Sequence, residues 1–257
     1  MEELLQRIAD NTEPKESFQV ILSDNKTNFN TRFNPPLQLN TKKKYEVALH
    51  NLETYYSFPN IDSSNNNFRY SPDTGATWID IEIPEGSYEI GDIDAAIKQK
   101  MKQNGHYDTA NDKYFISIVA NTSTLKSALM IYSPYMVDFT TENSIRTVLG
   151  FERELYNLQY QESENVVNII TINSIFVNVD IISGSYVNGT TQPTIYSFFP
   201  NVSPGYKIVE KPINLSYLPV IMDTISSVET TITDQTGKRL NLRGEYITMR
   251  LEIREKR

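Results

Sequence analysis

The fold is decided by the stretch ITMRLEIR, residues 247–254, near the end of the chain. Apolar and polar residues alternate through it: Ile247, Met249, Leu251 and Ile253 fall on one side of an extended chain, and Thr248, Arg250, Glu252 and Arg254 fall on the other. Successive side chains of a strand point to opposite faces of its sheet. One apolar and one polar side are typical of an antiparallel sheet with one face in water, so this stretch predicts such a strand.

The same two-residue rhythm recurs at the other end of the chain. Phe18, Val20 and Leu22 alternate with polar neighbours, and a long strand is predicted over residues 45–58. Its apolar positions change parity between Leu49 and Leu52, which predicts a β-bulge. Further short strands lie between glycine and proline turns, and the Asn-Gly pair at 188–189 indicates a hairpin. Many short strands of this kind predict a sandwich or a barrel.

One helix is predicted, in the middle of the chain. It opens near Asp92, whose side chain we expect to accept hydrogen bonds from the first turn. Ile93, Ile97 and Met101 follow at helical spacing, and Gly105 closes the far end.

Composition excludes several classes of function. The 257 residues carry a net charge of −8, whereas proteins that coat nucleic acid present a basic face, so sequence-specific nucleic-acid binding is not expected. The absence of cysteine removes disulfides and thiolate sites and favours folding in the nucleus or cytoplasm without secretion. No window resembles a membrane span.

Chemistry-bearing motifs are missing as well. The two histidines, His50 and His106, suit an exposed or interface position and a helix end respectively better than they suit a catalytic base. Asp108, Asn111 and Asp112 lack the spacing of a calcium loop and predict a polar turn. We therefore expect no enzyme activity, no catalytic residue, no cofactor and no metal site.

Residues 1–16 form a separate N-terminal arm in this interpretation. Leu4, Leu5 and Ile8 fall on one face of a short helical pattern, which Pro14 ends. A short helix on a polar tether is marginal by itself, so these three residues either belong to a frayed end or dock on a neighbouring subunit.

A set of motifs in a fixed order resembles a known family. They are FQVILS at 18–23, FNPPL at 33–37, YEVAL at 45–49, IPEGSYEI at 83–90, LGF at 149–151, GSY at 184–186, PGY at 204–206, YLPV at 217–220, DQTG at 234–237 and RGE at 243–245. In this respect the chain is similar to the minor capsid (penton) proteins of Polinton/Maverick elements and adintoviruses, and more distantly to virophage penton proteins. All the motifs are pieces of turns and strands.

The resemblance implies an antiparallel jelly-roll sandwich with an inserted β-rich lobe that carries the helix. The jelly roll would comprise residues 17–58 and 166–257, and the lobe residues 59–165. It further implies a homopentamer at the vertices of an icosahedral virion, among trimers of a double jelly-roll major capsid protein.

Two other functions stay open at the level of sequence. A ligand- or glycan-binding β-sandwich, such as a receptor-binding spike, would use exposed tyrosines and Trp78 to stack on sugars, although Trp78 also suits a core position at the start of a strand. A hydrolase on a jelly-roll scaffold would need two acidic residues that face one cleft.

Overall fold

The computed structural model describes residues 16–256 and divides them into two compact units. One unit combines the described residues up to Tyr56 with the chain from Ile172 onwards, and the other is the continuous segment Ser57–Thr171. The predicted arm residues Leu4, Leu5 and Ile8 lie outside the described residues. The division into arm, jelly roll and lobe as separate domains stays a prediction, which an experiment proposed below tests.

Strands dominate both units. Up to Thr171, the last residue of the second unit, the described strands are β1 (Ser17–Asp24), β2 (Asn28–Gln38), β3 (Tyr45–Tyr55), β4 (Asn67–Ser71), β5 (Ile79–Glu82), β6 (Ile116–Asn121), β7 (Lys126–Ile131), β8 (Met136–Asp138), β9 (Leu155–Tyr156) and β10 (Gln161–Glu162). Those that follow are β11 (Ile175–Val179), β12 (Tyr186–Val187), β13 (Thr190–Thr191), β14 (Thr194–Phe198), β15 (Lys207–Glu210), β16 (Leu218–Pro219), β17 (Thr224–Asp234) and β18 (Ile247–Glu255). The helices are α1 (Ile90–Gln103) and the single turn α2 (Arg146–Leu149).

The first sheet of the split unit is built from both ends of the chain. Its order is β1–β18–β3, with β15 and β16 both paired to β3 on the side away from β18. All these pairs are antiparallel, and Phe18 lies opposite Ile253. Strand β18 therefore lies between β1 and β3, and it is antiparallel to both, as its alternating sequence predicted.

The second sheet has the order β14–β11–β17–β2, again antiparallel throughout. Chain connections pass from one sheet to the other after β1, β2, β3, β14, β16 and β17, whereas β11 and β14, and likewise β15 and β16, are joined within a sheet. Two antiparallel sheets of this order make a jelly roll, which confirms the predicted fold class.

Aliphatic side chains fill the space between the two sheets. Leu22, Leu52 and Leu251 of the first sheet and Val177 and Val228 of the second are fully buried. Burial of each such side chain stabilises the fold by about 1.5–3 kcal/mol. The predicted bulge is confirmed in β3, because Arg250 pairs with Asn51 while Leu251 pairs with Leu49, which leaves His50 as the extra residue.

The second unit packs α1 beside two smaller antiparallel sheets, of order β5–β4–β8–β9 and β10–β7–β6. Its core is rich in aromatic rings: Phe139 contacts Phe68, Phe151 and Tyr156 with ring centroids 5.4–6.0 Å apart. The polar stretch 152–164 contributes the short strands β9 and β10.

Helix α1 begins earlier than expected. Glu89 is the residue that caps its N-terminus, and Asp92 lies three residues further on, where its Oδ2 accepts from the Glu89 N–H at 3.1 Å. The expectation that Asp92 would cap the first turn was therefore wrong, because it is the returning carboxylate of a capping box. At the other end Gly105, with φ +79°, and His106 close the helix by N–H bonds to Lys102 and Met101.

Candidate assembly surface

The outward side of the first sheet carries the most unusual surface among the described residues of the split unit. Ile21, Arg250 and Asn51 lie opposite one another across β1, β18 and β3. The next row along the strands contains Thr248, Glu53 and Val209, and Lys207 lies opposite Tyr55 in the row after that. We call Ile21, Asn51, Tyr55, Val209 and Arg250 the Arg250 face.

Apolar groups on the Arg250 face are open to solvent. Ile21 is 59% exposed, Val209 48% and Tyr55 42%. These residues face outward because Leu22, Thr54 and Ile208, which adjoin them in sequence, are buried on the opposite side of the sheet. Scattered apolar residues are normal on a surface; here Ile21 lies on β1 to one side of Arg250, and Tyr55 and Val209 lie on β3 and β15 to the other side.

Two polar atoms at the centre of the Arg250 face are buried without a partner. Among the described residues, neither Arg250 Nε nor Asn51 Oδ1 has a hydrogen bond. An unsatisfied buried polar atom costs about 1–3 kcal/mol and is rare in native proteins. The centre of the face is therefore incomplete in the isolated chain.

Acidic residues around Arg250 are already engaged. Glu53 Oε2 accepts from Lys207 Nζ at 2.5 Å, and this bond holds the pKa of the Glu53 carboxyl below its ordinary value. Glu252 accepts from Ser17 Oγ at 3.3 Å and from the Tyr217 hydroxyl at 2.9 Å. Burial raises the pKa of that Tyr217 phenol, so it stays a donor to Glu252 at neutral pH.

The basic runs near the chain ends are neutralised locally. Lys43 Nζ lies 3.0 Å from Glu255, and Arg254 lies 2.8 Å from Glu46 while its guanidinium covers the Tyr217 ring. These two ion pairs engage one basic residue of the run 42–44 and one of the run 250–257.

Histidines and the candidate calcium residues take structural positions. His50 is exposed at the bulge, and the ring of His106 contacts the Tyr70 hydroxyl through Nδ1 at 2.8 Å. The Asp108 carboxylate accepts from the backbone of Ala110 and Asn111, as expected of a polar turn. Within residues 16–256, no three acidic or histidine side chains are grouped as metal ligands.

Trp78 does not occupy the core position that the sequence suggested. It is only half-buried, and the guanidinium carbon of Arg69 lies 5.4 Å from its ring centre. In this cation–π contact the guanidinium covers one face of the ring. Arg69 lies on β4, the strand that pairs with β5, and Trp78 directly precedes β5.

Each unit has a cleft among its described residues. One, of about 350 Å³, runs between α1 and β5 and contains Glu82 and Asp92; the Asp92 carboxylate is committed to the helix start. The other, of about 320 Å³, lies between residues 25–28 and 239–244 and carries basic and amide side chains. Neither cleft brings together two carboxylates that are both open to a substrate, as glycosidase chemistry needs.

The motif DQTG at 234–237 is a turn in the structure. Asp234 Oδ1 accepts from the N–H groups of Thr236 and Lys238 at 2.8 and 3.0 Å. This motif of the resemblance therefore has a structural role. In the part of the chain that the structure describes, no helix is long and apolar enough to cross a membrane.

Comparisons with known proteins find similar solved structures but no matching family model. No protein-family model and no curated protein matches the chain. Among solved structures, the chain is similar to the crystal structure of a selenomethionine-labelled mavirus penton protein, with a TM-score of 0.49 and 11% identity over 94% of this chain and 100% of that one.

Proposed function

We propose that the chain is a minor capsid (penton) protein of a Polinton/Maverick-type element. Five copies form a ring that closes the vertices of an icosahedral virion, surrounded by a double jelly-roll major capsid protein. Assembly takes place in the nucleus or cytoplasm of the host. The protein acts by geometry and carries out no reaction.

Three observations support this proposal. The jelly roll is a fold that capsids share with lectins and cupins, so it permits the role without requiring it. The ordered motifs resemble those of penton proteins. The Arg250 face adds the observation that carries the proposal, since it combines open apolar groups with buried polar atoms that have no partner.

Ring closure sets the demands on the interface. A five-membered ring uses a heterologous contact, in which one patch of each copy meets a different patch of the next. Each contact has to bury roughly 1,000 Å² or more to be specific. Tyrosine and arginine, both present on the Arg250 face, are enriched where interfaces gain most of their binding energy.

Native mass spectrometry of the purified full chain tests the proposal. We expect a species of about 148 kDa, five times the 29.5 kDa of one chain. Ile21→Asp, which places a charge on the Arg250 face, is expected to shift the population to monomers. Ile213→Asp makes the same change at a residue that is 98% exposed elsewhere in the split unit and should keep the ring.

A monomer that persists at every concentration, in the presence of the cognate major capsid protein, would contradict the proposal. The glycan-binding alternative gains no support from Trp78, because Arg69 covers one face of the ring. Nor do the clefts favour a hydrolase.

A further inference from the structure

The Arg250 face specifies the chemistry of what binds it. Arg250 Nε is a charged donor and Asn51 Oδ1 an acceptor, and they lie on neighbouring strands. A carboxylate that reaches Arg250 and an N–H or O–H group that reaches Asn51 would satisfy these two atoms.

The surrounding residues specify the rest of the partner. Ile21, Val209 and Tyr55 are exposed on both sides of Arg250, so the partner also has to bring apolar side chains. Glu53 and Glu252 already bond to Lys207, Ser17 and Tyr217. Like Lys207, Arg250 also helps to lower the pKa of the Glu53 carboxyl, so one carboxylate of the sheet already interacts with its charge, and a second one, for Nε, would come from a segment other than these strands.

Residues 1–15 of the chain have this composition. Three large apolar residues, Leu4, Leu5 and Ile8, occur among four acidic residues, Glu2, Glu3, Asp10 and Glu13, and two basic residues, Arg7 and Lys15. The segment is thus both apolar and net acidic. It offers carboxylates and apolar groups within a few residues of one another.

The starting point and length of this segment bring it within reach. It precedes Glu16, whose carbonyl accepts from the Glu255 N–H at 3.0 Å at the margin of the first sheet. Fifteen residues span at most about 50 Å when extended. Eight-residue β1 spans only about 27 Å, so the segment can reach past its own sheet to a neighbour.

We propose that residues 1–15 of one copy bind the Arg250 face of the next copy in the ring, with Leu4, Leu5 and Ile8 against Ile21, Val209 and Tyr55 and an acidic residue on Arg250. This inference rests on the proposed ring. It supplies the two different patches that a heterologous contact needs, and exchange of an identical segment between copies is a low-cost route to assembly.

Photo-crosslinking of the full chain tests the inference. A benzophenone amino acid replaces Leu5, and equal amounts of ¹⁵N-labelled and unlabelled protein are mixed, assembled and irradiated. We expect mass spectrometry to find cross-links from residue 5 to peptides containing 17–24, 207–210 or 247–255, with about half of them joining a labelled to an unlabelled copy. Cross-links confined to single copies, or directed to the unit 57–171, would overturn the inference.

Matched variants make the test specific. Arg250→Gln keeps a polar side chain but removes the charge, and we expect about tenfold fewer mixed cross-links on the face. Arg239→Gln makes the same change at an exposed residue after β17, outside the Arg250 face, and it should leave the yield of mixed cross-links unaltered. Thermal unfolding of both variants checks that the sheet is intact, and equal cross-linking in the two would also overturn the inference.

The cross-linking result and the number of copies in the ring test the arm contact and the proposed function separately. Rings of five that form with residue 5 cross-linked elsewhere would refute the arm contact and leave the penton role standing. Mixed cross-links on the Arg250 face in a species that never reaches five copies would uphold the contact and refute the ring.

Discussion

The two units of the molecule differ in how their strands pair along the chain and in which side chains fill their cores. The jelly roll joins distant parts of the chain, as in the pair Ser17–Arg254, and fills its core with aliphatic side chains. The unit Ser57–Thr171 is continuous, and its core contains a cluster of aromatic rings. The strands of the second unit therefore find all their partners within one continuous segment, whereas the first unit depends on both ends of the chain.

Excision should show the largest difference. The segment 57–171 expressed alone is expected to fold, because its sheets and α1 pair within it. The segment 172–257 alone should remain unfolded, since β18 and β17 lose β1, β2 and β3. Dispersed amide signals in an NMR spectrum measure folding. An unfolded 57–171 would break the comparison and with it the predicted domain division.

Core truncation in each unit should come next in size. Phe139→Ala removes a fully buried ring and is expected to cost about 3–5 kcal/mol, and Leu251→Ala about 2–5 kcal/mol. Chemical denaturation measures the free energy of unfolding. Each substitution should shift the transition of its own unit.

The exposed Val119→Ala is the control and should change the free energy of unfolding by no more than about 0.5 kcal/mol. One common transition that moves equally with Phe139→Ala and Leu251→Ala would show that the units unfold as one, contrary to the comparison.

Two glycines of the continuous unit differ in the space around them. Gly150 has φ +83°, and a Cβ there would lie 2.3 Å from the Asn165 carbonyl oxygen. Gly150→Ala should therefore cost about 2–4 kcal/mol of unfolding free energy. Gly105 has φ +79° with open space around it, so Gly105→Ala should cost only about 1–2 kcal/mol. Equal losses in thermal denaturation would refute the close contact at Gly150.

Alkaline pH should have the smallest effect. Burial raises the pKa of the Tyr156 phenol, which also donates to Glu164 at 3.2 Å. The unfolded chain loses this proton first, so the unit 57–171 should lose stability as the pH rises above about 10, by at most about 1.4 kcal/mol per pH unit from this group. Below pH 9 this titration should contribute nothing.

Tyr156→Phe should reduce that slope between pH 9 and 11, because it removes the titrating group. The control Tyr160→Phe, at an exposed tyrosine of the same unit, should retain the wild-type slope. Denaturation midpoints at each pH provide the measurement. Parallel slopes for wild type and Tyr156→Phe would contradict the role given to burial.

Local rules predicted what depends on local sequence. The alternation of 247–254 predicted β18, and the parity change between Leu49 and Leu52 predicted the bulge at His50. The rules misplaced the helix start, because an aspartate suits both the N-cap position and the N3 position of a capping box, and Asp92 occupies N3.

Pairing over long distances was beyond these rules. No pattern in the sequence states that Arg250 lies between Ile21 and Asn51, since that register depends on strands more than 190 residues apart and on the bulge. The sequence pattern consequently indicated assembly residues in the arm, and it did not indicate that the residues of the Arg250 face lie together. Trp78 was misjudged for a similar reason: its half-exposed position is set by Arg69 on the neighbouring strand.

Electron microscopy of the purified full chain tests the assembly claim most directly. We expect two-dimensional class averages of rings with five-fold symmetry, and a reconstruction in which the outward side of the sheet containing β1, β18 and β3 lies at the contact between copies. Single particles the size of one chain, or rings in which that side faces solvent in every copy, would contradict the claim.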